Sequence, residues 1–176
     1  MAGPGPRWGW HRLTGPWADR IVAGAGVART DLVLDLGSGT GALTRPLAAR
    51  GARVIAVELH PGRAARLGEA VRRYPAVTVV VDDVLDVPLP RRPFRVVANP
   101  PYAICAELVR RLTDRRSSMV RADLVVPRWM ARRYAARPPR GFHAEVGRHV
   151  PAGAFVPAPR DDSAVLVLRR QGRPRR

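Results

Sequence analysis

DLGSGTGALT, residues 35–44, is the stretch of this 176-residue sequence that decides the fold. It follows a short apolar run at 32–36 and leads into a segment at 42–50 that can form a helix. Three glycines permit a tight turn and let a ligand approach the backbone closely, namely Gly37, Gly39 and Gly41. This order of strand, glycine turn and helix is typical of nucleotide-binding sheets, although the glycines also fit the dinucleotide pattern G-x-G-x-x-A. The turn by itself does not identify the ligand.

Further β-branched runs repeat this order along the chain and lie at 53–58, 77–81, 94–98 and 122–126. Each is followed by a segment that can form a helix, and those segments include 62–74, 103–113 and the basic stretch 128–137. The alternation predicts βαβ units with a parallel sheet, and the nearly continuous apolar character of the runs predicts helices on both faces.

Elements at both ends of the chain complete the predicted fold. Upstream, Thr14 is predicted to cap a helix that runs to about Val27. Downstream, the runs 145–150 and 163–168 are predicted to pair antiparallel at one edge of the sheet. We therefore predict an α/β, Rossmann-like fold with a mostly parallel seven-stranded sheet and an antiparallel edge hairpin.

Two acids follow strands at the edge that carries the glycine turn. Glu58 ends the second run, about 20 residues beyond the glycines, where a carboxylate can accept hydrogen bonds from both hydroxyls of a ribose. Asp83 follows the third run and can accept from the amine of an adenine. The alternatives are an ordinary surface acid for Glu58 and a turn or helix cap for Asp83.

The turn Asn99-Pro100-Pro101-Tyr102 follows the fourth run directly. Two prolines lack backbone donors and hold Asn99 extended, so its side-chain oxygen and the Pro100 carbonyl can accept hydrogen bonds from an amine on an aromatic ring. These contacts would stabilise the positive charge that develops when the amine attacks, and Tyr102 offers a face for a planar base. The alternative is a turn that ends a strand, with Tyr102 packed in the core.

Charge and composition limit the possible functions. The length excludes a multidomain enzyme, and the 46% of apolar residues suffices for a core. The formal net charge is +17 and all basic residues are arginine, so nucleic acid is the expected partner, although codon bias explains arginine in place of lysine. The candidate RNA contacts on the basic helix are Arg128, Arg132 and Arg133. The single cysteine and scattered histidines predict no metal site, and we expect a soluble, cytoplasmic protein that does not enter a membrane.

At these motifs the chain resembles the rRNA adenine-N6 methyltransferases, a family containing the Erm macrolide-resistance enzymes and the small-subunit dimethyladenosine transferases. The similarity runs from about residue 8 to 170 and rests on DLGSGTGALT (35–44), VIAVE (54–58), DDVL (82–85), NPPY (99–102) and FVPAPRDDSAV (155–165). The last motif distinguishes this family from the DNA adenine and protein glutamine methyltransferases, which also contain NPPY.

The resemblance implies a class I methyltransferase fold with S-adenosylmethionine as cofactor. The glycine turn would line the cofactor site, Glu58 would bind its ribose, Asp83 its adenine, and Asn99 would contact both the cofactor and the reacting amine. Tyr102 and Phe155 would sandwich a flipped target adenine. The implied reaction is methylation of adenine N6 in 23S rRNA, with resistance to macrolide, lincosamide and streptogramin antibiotics. Methylation of small-subunit rRNA or of protein and a non-catalytic rRNA-binding assembly factor are the alternatives.

Two features depart from the family pattern. Trp10-His11-Arg12-Leu13 stands where the family has Gln-Asn-Phe-Leu, so His11 and Leu13 are weaker candidates for cofactor contacts. We also expect the family's helical C-terminal domain to be absent, as in a short actinobacterial type of Erm enzyme with a similar opening. The resulting division is an N-terminal segment and helix at 1–30, a catalytic domain at 31–170 and a basic tail at 171–176. We expect a monomer.

Overall fold

The computed structural model describes residues 11–172. Its helices are α1 Gly15–Ala25, α2 Thr44–Ala49, α3 Pro61–Val71, α4 Cys105–Leu112 and α5 Arg128–Ala136, with single 3-10 turns at Tyr102–Ile104 and Ala152–Ala154. Its strands are β1 Arg12–Leu13, β2 Leu32–Leu36, β3 Arg53–Val57, β4 Val77–Val80, β5 Phe94–Ala98, β6 Met119–Pro127, β7 Phe142–Val150, β8 Phe155–Val156 and β9 Ser163–Arg170.

Seven of the strands form one sheet in the order β4-β3-β2-β5-β6-β9-β7. The strands β4, β3, β2, β5 and β6 run parallel, whereas β9 pairs antiparallel with both β6 and β7. The predicted mostly parallel sheet with an antiparallel edge hairpin is therefore confirmed. The strand order reverses between β2 and β5, and ligands bind beyond the carboxyl ends of the strands at such a point.

Apolar side chains cover both faces of this sheet. Along β2, Leu32, Leu34 and Leu36 face a core formed with α4 and α5, while Val33 faces the core formed with α1 and α2. Because successive side chains in a strand point to opposite faces, a strand covered on both sides is apolar at nearly every position, and in β2 only Asp35 departs from this pattern. The carboxyl ends of the strands thereby become a rigid edge that carries the loops of the site.

The N-terminal helix differs in detail from its prediction. Helix α1 ends at Ala25, two residues early, because Gly26 takes the left-handed conformation with φ of 60°. Thr14 occupies the N-cap position, but its side chain makes no capping hydrogen bond; its carbonyl accepts from the backbone of Trp17 and Ala18 instead. A proline in the first turn pre-organises the helix start.

A second, two-stranded sheet lies outside the predicted fold. Strand β1 pairs antiparallel with β8, with Arg12 opposite Val156 and Leu13 opposite Phe155. This pair brings the beginning of the described chain against the loop that precedes β9. The division at 1–30, 31–170 and 171–176 stays a prediction, and its parts at 1–10 and 173–176 lie outside the described residues. Within 11–172, no helix has the length and apolar character that a membrane span requires.

Candidate active site

The glycine turn connects β2 to α2 at the carboxyl edge of the sheet. Gly37 and Ser38 donate backbone hydrogen bonds to the carbonyl of Val57, the last residue of the neighbouring β3, at 2.9 and 3.0 Å. Gly41 has φ of 93°, and a Cβ there would lie 2.5 Å from Leu67 Cδ1. Only glycine fits both constraints, so the turn packs closely against Leu67 of α3.

Glu58 is tied to this turn in the structure. Its side chain is almost fully buried, and its Oε2 accepts a 2.8 Å hydrogen bond from the backbone N–H of Gly39. Its Oε1 accepts from the backbone N–H of His60 at 2.9 Å and from the Arg63 guanidinium at 2.8 Å. A carboxylate has about four lone-pair positions, so Oε2 retains acceptor capacity for a ribose hydroxyl. The surface-acid alternative for Glu58 does not describe this buried, multiply bonded group.

Asp35 is a second buried acid, which the sequence analysis quoted without assigning it a role. It is 1% exposed at the end of β2, and Thr44 Oγ1 donates to its Oδ2 at 2.6 Å. Burial raises the pKa of Asp35 to about 7, against the hydrogen bond from Thr44, and the neighbouring Glu58 carboxylate adds to the increase. The acid that precedes a glycine turn was the signal in the sequence, but its pKa depends on the elements packed around it.

Asp83 lies on the same edge, after β4. Its Oδ1 accepts a 2.8 Å hydrogen bond from the backbone N–H of Leu85, and its carbonyl accepts from Asp86 and Val87. The side chain therefore caps its own turn, as the alternative predicted, and it also lines the cavity that contains Glu58. The structure thus places Asp83 in position for either role.

Two adjoining cavities meet at the glycine turn. One is a solvent-open cleft of about 600 Å³, lined by residues that include Gly37, Glu58, Leu59, Asp83 and Pro101. The other is a solvent-open cleft of about 290 Å³, lined by residues that include Leu13, Asp35, Gly37, Gly39 and Asn99. Gly37 lines both, and its φ of 79° is in the left-handed region that favours glycine. The pair of cavities suits an elongated ligand with a nucleoside at one end and a polar group at the other.

The Asn99 side chain is held by the N-terminal strand pair. Asn99 Nδ2 donates a 2.7 Å hydrogen bond to the carbonyl of His11, which precedes β1. Because a carbonyl can only accept, this contact decides which way the amide faces. The planar amide then places Oδ1 on the side away from His11, where it can accept from an incoming amine.

Tyr102, His11 and Phe155 lie together beside Asn99. The Tyr102 hydroxyl hydrogen-bonds Ser163 Oγ at 2.5 Å, and burial raises the pKa of this tyrosine. The His11 ring centroid lies 5.7 Å from that of Tyr102 and 6.5 Å from that of Phe155, with an edge-on contact to Phe155. His11 Nδ1 donates to the carbonyl of Pro157 at 2.8 Å, since that carbonyl can only accept. The imidazole therefore contacts both rings assigned to the target base, and Phe155 itself is only 3% exposed.

The remaining predicted site residues lie in two places, one at the smaller cavity and the other on helix α5. Leu13 is 1% exposed, packs with Phe155 in the core and lines the smaller cavity. Arg128, Arg132 and Arg133 are exposed on α5, which begins where β6 ends at the carboxyl edge. Ser163 was not predicted as a site residue, although it lies within the quoted motif FVPAPRDDSAV. No cluster of possible metal ligands occurs within the described part of the chain.

Comparison with known proteins identifies the family. The model of the family described as Ribosomal RNA adenine dimethylase matches residues 15–175. The chain belongs to this family. Ribosomal RNA small subunit methyltransferase A of Acidobacterium capsulatum is 36% identical over 92% of this chain and 63% of its own length. An rRNA adenine N-6-methyltransferase of Corynebacterium diphtheriae is 34% identical over 81% of this chain and 59% of its own length.

Solved structures agree with this membership. The crystal structure of the 23S rRNA methyltransferase ErmE has a TM-score of 0.82 and 30% identity, covering 90% of this chain and 69% of that one. A dimethyladenosine transferase from Plasmodium falciparum, at a TM-score of 0.77 and 23% identity, supports the fold alone. The resemblance to the rRNA adenine methyltransferases and the class I methyltransferase fold are therefore confirmed. The chain spans about three fifths of the length of the curated relatives it matches, at 63% and 59% for the two named.

The family to which the chain belongs uses S-adenosylmethionine, as the resemblance implied. The residues present fit this cofactor, because Gly37, whose φ is 79°, lines both cavities, and each cavity is also lined by one buried acid, Asp35 or Glu58. Glu58, Leu59 and Asp83 would hold the adenosine in the larger cavity. Asp35, with the turn from Gly37 to Thr40, would hold the amino-acid portion in the smaller one.

Proposed function

We propose that this protein methylates N6 of an adenine in ribosomal RNA. The observation that carries the proposal is the orientation of Asn99, whose Nδ2 donates to the His11 carbonyl and whose Oδ1 is therefore available as an acceptor beside the smaller cavity. An acceptor at that position suits a neutral amine that becomes positively charged as it reacts.

The protein's part in the reaction is to position the amine and stabilise its charge. When bound, S-adenosylmethionine supplies an electrophilic methyl group. Asn99 Oδ1 and the Pro100 carbonyl accept hydrogen bonds from the N6 amine, which draws the nitrogen lone pair out of conjugation with the ring. Pro101 has no N–H, and its carbonyl already accepts from Cys105 Sγ at 3.4 Å. Tyr102 provides the face on which the base stacks, and its bond to Ser163 fixes the ring plane.

The identity of the rRNA is a separate step of the proposal. The family resemblance of the sequence implies 23S rRNA, and the similarity to ErmE supports that substrate. Proteins named as small-subunit rRNA methyltransferases match this chain at up to 36% identity over 92% of its length and support the alternative at least as well. We therefore propose small-subunit rRNA as the first substrate to test and 23S rRNA as the second. Macrolide resistance is expected only if 23S rRNA is the substrate.

Parallel methyl-transfer assays test the proposal. Purified protein is incubated with labelled S-adenosylmethionine and naked 16S rRNA, naked 23S rRNA or total protein, and the modified base is mapped by primer extension. Label at one adenine in either RNA, absent with Asn99→Ala, supports the proposal and identifies the substrate. Label on protein alone, or none on any substrate, refutes it. No label on any substrate, together with tight, salt-dependent RNA binding, would favour the non-catalytic assembly factor.

A further inference from the structure

Large apolar side chains exposed within the described residues gather around the site. Four of them follow or flank strand ends at the carboxyl edge, namely Leu59, Val81, Trp129 and Val156. Trp129 is the largest and, at 58%, the most exposed. Leu59 lines the larger cavity, whereas Trp129 lines none of the cavities described above. Several exposed large apolar side chains around a polar site are typical of an interaction surface, and Trp129 is the largest of them.

The position of Trp129 is set by the strand that precedes it. Helix α5 begins directly after Pro127, which is paired with Ser163 in β9. Ser163 is the residue whose hydroxyl bonds Tyr102, and the backbone N–H of Arg128 donates to the carbonyl of Asp162. Side chains in a helix lean toward its N-terminus, so an indole in the first turn leans back toward this edge. Trp129 therefore lies at the rim next to the residues that position Tyr102.

The charge around Trp129 identifies the kind of partner. Helix α5 has the sequence RWMARRYAA, with three arginines and no acid. Its packing against the sheet uses Met130 and Ala131, which are buried, and leaves Trp129 outside. A flat aromatic ring among arginines suits single-stranded RNA, in which bases stack on the ring and phosphates contact the guanidinium groups.

We propose that Trp129 is a stacking platform for an unpaired nucleotide next to the target adenine. Arg128, Arg132 and Arg133 hold the phosphates on either side of that nucleotide. This inference rests on the proposed function, because the neighbouring nucleotide is defined by the base that enters the site beside Tyr102. It assigns the RNA-binding face to the first two turns of α5.

The test compares three variants with the wild-type protein. Trp129→Ala removes the ring, Trp129→Phe retains a smaller one, and Val120→Ala truncates an exposed apolar residue at the opposite end of β6. Binding to naked 16S and 23S rRNA is measured over a range of salt concentrations, alongside cofactor affinity and methyl transfer. Stacking of one base contributes about 1–3 kcal/mol, so Trp129→Ala should weaken RNA binding by about five-fold or more. The RNA affinity of Trp129→Phe should lie between those of Trp129→Ala and the wild type, and the RNA affinity of Val120→Ala should equal that of the wild type.

The salt dependence separates stacking from damage to the helix. Loss of stacking leaves the slope of log Kd against log salt unchanged, whereas a disordered α5 would also lose its phosphate contacts and flatten that slope. Wild-type affinity in Trp129→Ala, or a flattened slope, would overturn the inference. Failure of the wild-type protein to methylate any rRNA would refute the proposed function instead, whatever the RNA affinity of Trp129→Ala.

Discussion

Replacement of Asp35 by asparagine should make the protein more stable, and increasingly so as the pH rises. The Asp35 carboxyl is 1% exposed and its pKa is raised to about 7, mainly by burial. In the unfolded chain the same group titrates near 3.8. Between these two pH values only the unfolded state releases the proton, so the free energy of unfolding falls as the pH increases. Above about pH 7 both states are ionised and the penalty stays constant.

The magnitude follows from the two pKa values. Each pH unit between them changes the free energy of unfolding by about 1.4 kcal/mol, so the penalty grows by about 3 kcal/mol from pH 5 to pH 8. The Asp35→Asn variant keeps an acceptor for the Thr44 hydroxyl, but its amide never ionises, so the variant escapes this change. The difference in unfolding free energy between Asp35→Asn and wild type should therefore increase by about 3 kcal/mol over that range.

Urea denaturation of both proteins at a series of pH values measures this difference. Taking the difference cancels the titration of every other group that behaves alike in the two proteins. A difference that stays constant from pH 5 to pH 8 would show that Asp35 is ionised throughout and would refute the reasoning. Cofactor binding offers a second readout, because a cation held in the smaller cavity favours the ionised carboxyl. Affinity for S-adenosylmethionine should then rise through pH 7 in the wild type and lose this dependence in Asp35→Asn.

Three further substitutions test the proposed site. Asn99→Ala should reduce kcat by about 10²–10³-fold while cofactor affinity is largely retained; more than about a tenth of the wild-type rate would contradict the role of Oδ1. Glu58→Gln removes the charge that Gly39, His60 and Arg63 share, and should lower stability by about 1–3 kcal/mol, because hydrogen bonds to a charged group are weakened while Arg63 stays partly solvated; cofactor affinity should also fall, because glutamine has one acceptor oxygen fewer for a ribose. His11→Ala removes the ring that an incoming base would displace, but keeps the carbonyl that orients Asn99. Since the base then no longer has to break the hydrogen bond from His11 to Pro157, KM for RNA should fall by about five-fold. Weaker cofactor binding in His11→Ala would instead support the cofactor contact that the family resemblance implies.

The main sheet could be predicted because its pattern is local. A strand covered on both faces is apolar at nearly every position, and a glycine turn marks its end, so the run at 32–36, interrupted only by Asp35, and the turn after it were both recognisable. The two acids followed from their positions at the ends of β3 and β4. The ends of α1 were less well predicted, because the left-handed Gly26 overrode a helical composition that continues beyond it.

The contacts within the site were not predictable, because they join distant parts of the chain. Strands β1 and β8 have two residues each, too few to show any periodicity, and they pair across more than 140 positions of sequence. The bond of Glu58 to Gly39 and that of Tyr102 to Ser163 likewise depend on how the loops pack. The raised pKa of Asp35 is a property of the surrounding core, and composition carries no signal for it.

The pair of β1 and β8 links the two halves of the proposed reaction. Leu13 lines the smaller cavity on the cofactor side and is paired with Phe155 on the target side, while the carbonyl of the preceding His11 orients Asn99 between them. In the proposed reaction, a base that stacks on Tyr102 would displace the nearby His11 ring, and the backbone of His11 is the one that holds the Asn99 amide. We therefore expect binding of the target adenine to be coupled to the arrangement of the cofactor site through these residues. Since a coupling free energy is reciprocal, bound S-adenosylmethionine should change RNA affinity by the same factor by which RNA changes cofactor affinity.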